Sequence, residues 1–219
     1  MKRLLALVAS AMLTTFAFAE NTVHLGAFFP IHPATLGQDG QTADLSSTGV
    51  GGTVDFTHVC DSGFTFKFDL GLARASTKDL WDESVSGVNF LADAGFGWSF
   101  IHNEKMTLTL TGNIGLSVCS YKLEDKYYTT SYTGSKVLAE RERKLNPITE
   151  FYFGPEVAFT YRFNKHFGAF ADVGLFYATG SAKYKTKAEV FGTKLYDDST
   201  SLDISGLLFV PKAGMSFTF

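Results

Sequence analysis

The run FTFKFDLGL, residues 64–72, alternates without a slip: Phe64, Phe66, Phe68, Leu70 and Leu72 fall on one face, and Thr65, Lys67, Asp69 and Gly71 on the other. A two-residue period is the mark of an extended strand, whose successive side chains point to opposite faces. MTLTLTGNIGLSV, residues 106–118, repeats the pattern. There Met106, Leu108, Leu110, Ile114, Leu116 and Val118 oppose Thr107, Thr109, Thr111, Asn113 and Ser117. Extended over 63–75 and 106–120, both runs are about twice the usual globular strand of ~5–6 residues.

Eight segments of this kind are read along the chain: 22–30, 48–59, 63–75, 87–101, 106–120, 148–163, 167–178 and 203–219. Their connections alternate in length. CDSG (60–63), HNEK (102–105) and NKH (164–166) are tight turns, while 31–47, 76–86, 121–147 and 179–202 are long and polar. An even number of long amphipathic strands, with short turns at one end and long loops at the other, predicts an all-β fold. It is an eight-stranded antiparallel up-and-down transmembrane β-barrel with short periplasmic turns and long extracellular loops. Closure satisfies every backbone N–H and C=O, as the hydrocarbon core requires. A soluble β-sandwich or lipocalin-like barrel would turn the apolar faces inward and would ordinarily use shorter strands. The segment 121–147 carries Glu140, Arg141, Glu142, Arg143 and Lys144 in succession, so it is not lipid-facing. It extends a hairpin above the membrane, its charges paired across strands.

The opening residues MKRLLALVASAMLTTFAFAEN read as a secretory signal over 1–19: Lys2 and Arg3, an apolar stretch from Leu4 to Phe16, then Ala17-Phe18-Ala19 for cleavage. The barrel domain is then 20–219. Losing Lys2 and Arg3 leaves 17 basic against 22 acidic residues, a net charge of −5, which gives no footprint for nucleic acid. The 22 Phe and 21 Gly suit strands better than helices. Cys60 and Cys119 are not a disulfide framework. The first sits at a short turn and the second about 13 residues up its strand, over ~30 Å higher, so both are expected as free thiols.

The last strand runs KAGMSFTF, residues 212–219, with polar Lys212, then Gly214, then Phe217 and Phe219. This ending resembles the β-signal of bacterial outer-membrane proteins, which implies recognition by the barrel-assembly machinery. PKAGMSFTF (211–219) aligns without gaps with PEVAFTYRF (155–163) and ADAGFGWSF (92–100). In each, an inward charge (Lys212, Glu156, Asp93) precedes a small inward residue and outward aromatics. Shared membrane depth accounts for the repetition, the aromatics forming a girdle at the periplasmic rim. With the signal peptide and the topology, this ending makes the whole mature chain similar to small eight-stranded barrels of the OmpA, OmpX and OmpW type, and to the small barrels of spirochaetes, treponemes included. The OmpW resemblance implies passage of small hydrophobic molecules. The OmpX and OmpA resemblance implies adhesion or envelope stability.

Strand parity sends Asp55, Lys67, Asp69, Asp93, Glu150, Glu156, Arg162, Asp172 and Lys212 into the lumen. Lone buried charges are prohibitive, so these are expected to pair. They form either a plug or a gated polar pore in which Lys67 or Lys212 exchanges carboxylates. Parity also places Leu91, Ile101, Phe170, Phe176, Leu208 and Val210 inside, as packing or as an apolar pocket. Pro155 and Pro211 sit at equivalent heights and mark two tolerated bulges or a weak level open to lipid. The five His are scattered without metal-ligand spacing, no G-x-S-x-G occurs, and His32 with Asp39 or Asp44 is the one outer-rim pair suited to catalysis. The chain is therefore expected to be a monomeric non-enzyme without cofactor or metal. It acts either as a narrow porin-like or small-hydrophobic-molecule channel, or as a structural or adhesin barrel. In the latter, loops bearing Trp81, Tyr127, Tyr128 and Tyr132 bind a host or envelope partner.

Overall fold

A computed structural model describes residues 20–219, apart from 39–40, 79–83, 122–124, 131–135, 146 and 191–192. The alternating runs become strands β1 (Glu20–Phe28), β2 (Ile31–Gln38), β3 (Gln41–Val59), β4 (Phe64–Lys78), β5 (Ser84–His102), β6 (Met106–Tyr121), β7 (Asp125–Thr130), β8 (Lys136–Leu145), β9 (Ile148–Arg162), β10 (Phe167–Val190) and β11 (Thr193–Thr218). The wall is an antiparallel ring in the order β1, β3, β4, β5, β6, β9, β10, β11 and back to β1. Closure runs from Thr22 opposite Thr218 to Phe28 opposite Lys212. The Phe219 N–H completes it by donating to the Asn21 carbonyl at 3.0 Å.

Three tight turns hold the lower end. Gly63 turns β3 into β4 with φ +86°, where a side chain would also strike the Trp98 indole. The other two use one device: Asn103 Oδ1 accepts from the Lys105 and Met106 amides, and Asn164 Oδ1 from those of His166 and Phe167, all at 2.9 Å.

Above the barrel, the stretches expected as long loops continue as strand. β2 resumes the first wall strand after a break at Phe29–Pro30 and pairs with both β3 and β11. The β10–β11 hairpin runs on to Val190 and Thr193. β8 joins β10 as well as β7, so the order there is β11–β10–β8–β7. Backbone pairing needs no apolar face, which is why polar sequence that reads as loop still forms ladder. Trp81 and Tyr132 lie outside the described residues, as does 1–19.

The outside is apolar. Phe64, Phe68, Leu72, Phe96, Ile114, Phe151, Phe153, Leu175 and Leu207 are exposed, while Lys67, Asp69, Asp93, Glu156, Asp172 and Lys212 are buried. From Phe163 to Phe151 the exposed face of β9 spans ~30 Å, the thickness of a hydrocarbon core. At the lower end Tyr161 and Phe163, Phe167 and Phe217, and Phe217 and Phe219 pack ring on ring at 5.2–6.0 Å. These aromatics form a girdle.

Candidate functional site

Three aspartates stand side by side on the lumen face of adjacent strands: Asp55 opposite Asp69, and Asp69 opposite Asp93. Like charges in that position repel. Two lysines compensate them. Lys67, fully buried one step below Asp69, ion-pairs with Glu156, with Asp172 at 2.5 Å and with Asp55 at 3.3 Å. Lys212 crosses from β11 to Asp69 and reaches the second oxygen of Glu156 at 2.8 Å. Glu156 thus bridges both ammonium groups. Other carboxylate oxygens of Asp69 and Asp93 engage neutral donors. Thr53 donates to Asp69 at 2.8 Å, and Asn113 and Tyr152 donate to the two oxygens of Asp93 at 2.8 and 2.9 Å.

His24 belongs to this layer although spacing alone gave no reason to select it. It lies directly opposite Asp55 across β1 and β3, with Nδ1 at 2.5 Å from Asp55 Oδ1. Its Nε2 is 3.1 Å from the Thr160 hydroxyl, and its ring stacks on Phe170 at 4.5 Å. The missing signal was register: β1 and β3 are separated by the whole of β2, so no turn length in the sequence sets their alignment.

Below this layer the lumen is hydroxylic. Thr65, Ser99 and Thr109 form a chain at 2.8 Å spacing, and Arg162 closes the lower rim against Glu20, Thr107 and the Asn103 carbonyl. Above it the lumen turns apolar, with Phe28, Leu91, Tyr152, Phe176, Leu208 and Val210 in one buried cluster. Higher still come His32, 3.5 Å from Glu150, and a second cluster containing Leu45, Cys119, Tyr121, Ile148 and Ile204. Among the described residues, two cavities of about 10 Å³ each lie beside the charged layer.

Inward glycines make room for the inward rings. A Cβ on Gly214 or Gly26 would lie 2.8 Å from the Phe170 ring, one on Gly71 2.8 Å from Phe28, and one on Gly115 2.4 Å from Tyr152. Gly214, chosen from the sequence as part of the terminal signal, is therefore also the floor on which Phe170 lies.

Several expected positions differ. Ile101 is not in the lumen: it is 39% exposed, because β5 carries a bulge at Phe100 that skips one pairing and turns Ile101 outward. Phe170 is inside, but stacks on His24 in the charged layer rather than joining the apolar one. Glu150 stands apart with His32, and Arg162 stays at the rim. The partner of His32 is that Glu150, not Asp44, which is exposed, while Asp39 is outside the described residues. At Pro155, between Glu156 opposite Gly174 and Phe153 opposite Tyr177, the β9–β10 ladder loses two pairs without a change of register. Pro211 keeps register with Val173, and the nearby break lies in the facing strand at Phe29–Pro30. Cys60 sits at the lower turn and Cys119 in the uppermost apolar cluster.

A closed ring with a lipid-thickness apolar exterior and a charged interior is a transmembrane β-barrel. The chain has the fold of an outer-membrane barrel. It is similar to OprG of Pseudomonas aeruginosa at a TM-score of 0.58, with 14% identity over 92% of this chain and 96% of that one. Weaker likenesses are to Ail of Yersinia pestis (TM-score 0.40, 11% identity, 92% of this chain and 99% of that one) and to neisserial surface protein A (0.41, 12%, 89% and 96%). No protein-family model matches the chain, and no curated protein matches it by sequence.

Proposed function

We propose that this is an outer-membrane barrel that admits small apolar molecules from its outer mouth and does not conduct ions. The observation that carries the reading is the layering of the lumen. An entering molecule meets Leu45, Ile148 and Ile204, then Phe28, Leu91 and Phe176, and is stopped by the Lys67–Glu156–Lys212 layer. Crossing that layer would strip ion pairs in a dry interior, which is costly. The way out that the wall favours is sideways at the boundary of the two layers, where β9 and β10 lose two ladder pairs at Pro155. Insertion into the membrane is assigned to the terminal strand, with Lys212, Gly214, Phe217 and Phe219 read by the barrel-assembly machinery.

Proteoliposomes test both halves. Toluene uptake should exceed that of protein-free vesicles, and planar bilayers should show no steady current. A stable ionic conductance without uptake overturns the reading. A second function, surface binding, is supported by the β11–β10–β8–β7 sheet standing above the barrel. Deleting 121–147 should then abolish host-cell or envelope attachment while leaving uptake intact.

A further inference from the structure

Among the described residues the charged layer is not electrically balanced. Asp55, Asp69, Asp93, Glu156 and Asp172 face only Lys67 and Lys212, so three negative charges stay uncompensated when His24 is neutral. A buried surplus of this size is far more expensive than a buried pair. One corner of the layer is built to take a cation. His24, Asp55 and Asp172 are all buried, and one ligand atom from each lies within 4.8 Å of the others. Asp172 is 1% exposed, yet its Oδ1 accepts no hydrogen bond. The Thr160 hydroxyl at 3.1 Å from Nε2 holds the imidazole in place, as outer hydrogen bonds do for metal-bound histidines.

We propose that His24, Asp55 and Asp172 bind one divalent first-row transition cation. An imidazole nitrogen with two carboxylates suits Zn²⁺ or Mn²⁺, whereas Ca²⁺ and Mg²⁺ favour all-oxygen shells. Lys67 is the competitor. It now shares a single charge among Asp55, Asp172 and Glu156, and withdraws to Glu156 when a doubly charged ion takes the other two. Approach is from the lower rim. A cavity of about 10 Å³, the size of one water, touches His24 and Lys67; Thr22, Thr57 and Thr160 line it with Val59 and Ala158, and the ion-paired Glu20 and Arg162 stand at its rim. This site is independent of whether the barrel passes apolar solutes.

The test is equilibrium dialysis of Zn²⁺ and Mn²⁺ against the refolded full barrel in lipid vesicles, with bound metal counted by mass spectrometry. One equivalent is expected. His24→Ala and Asp172→Asn should each weaken it at least about tenfold, and removal of the rim histidines by His58→Ala, His102→Ala and His166→Ala should leave it unchanged. X-ray absorption of the Zn²⁺-loaded wild-type barrel gives an answer even if a lumen variant fails to fold: one imidazole with oxygen ligands is expected. No stoichiometric binding, loss with the rim histidines, or a shell with two or more imidazoles would overturn the proposal.

Discussion

Glu156 should be the keystone of the lumen, and Glu156→Gln tests that against a neighbouring carboxylate. Its two oxygens each hold a lysine, Lys67 on one side and Lys212 on the other, and the residue is fully buried. A hydrogen bond to a charged group contributes ~1.5–3 kcal/mol, and removing one partner of a buried ion pair costs ~3–5 kcal/mol. The amide keeps a carbonyl acceptor for one lysine but turns an NH2 donor toward the other, and it carries no charge for either. A loss of ~3–5 kcal/mol is therefore expected, that of one broken buried pair. Asp93→Asn is the control. Asp93 is held by Asn113 and Tyr152, both neutral, at 2.8 and 2.9 Å. An amide keeps a carbonyl acceptor for one of them and relieves the row of aspartates, so the change should be at most ~1 kcal/mol, the worth of one neutral hydrogen bond. Urea unfolding in lipid vesicles with chelator present, followed by tryptophan fluorescence, measures both. If Asp93→Asn costs as much as Glu156→Gln, the lysines are not what the carboxylates need and the reasoning fails.

Gly115→Ala would put a methyl 2.4 Å from Tyr152 and 2.7 Å from Asp93, so overpacking should cost ~1–3 kcal/mol in the same urea titration. Gly112→Ala meets nothing within 4 Å on the outer face and should be neutral or stabilising by up to ~1 kcal/mol. Maleimide should label half-buried Cys60 in folded vesicles and leave Cys119, 5% exposed, unmodified until the barrel unfolds; equal rates would contradict the placement of Cys119. Deleting Phe219 removes a closure contact to Asn21 as well as a girdle ring, so the assembled fraction in cells, read as heat-modifiable migration, should fall further than with Phe163→Leu. Equal losses would reduce Phe219 to girdle alone.

What the sequence disclosed and what it withheld divide along one physical line. Direction across the wall has a strict period of two, so counting along one strand was enough to send Asp55, Lys67, Glu156, Asp172 and Lys212 inward. The same counting failed at Ile101, since one bulged residue reverses every later side chain on that strand. Position along the barrel axis was legible too, written in the aromatic girdle and in the three matched strand endings.

Contact across the lumen was not legible, because it depends on shear, the cumulative stagger of all the ladders around the ring. Lys212 is directly opposite Asp172 in the β10–β11 ladder, yet its ion pairs are with Asp69 and Glu156, from strands that do not pair with β11. Asp172 is left to Lys67, which also crosses the interior to reach it. A ladder therefore predicts which charges share a level but not which of them meet. That is why the row of aspartates on β3, β4 and β5, apparently self-repelling, holds together. Its cations come from the same strand and from the far wall, and each lysine is shared by several acids. Sharing leaves the layer one-sided in charge, and an imbalance of that kind arises only once the ring has closed. The feature of this barrel most open to chemistry is thus a property of closure, set by no single strand.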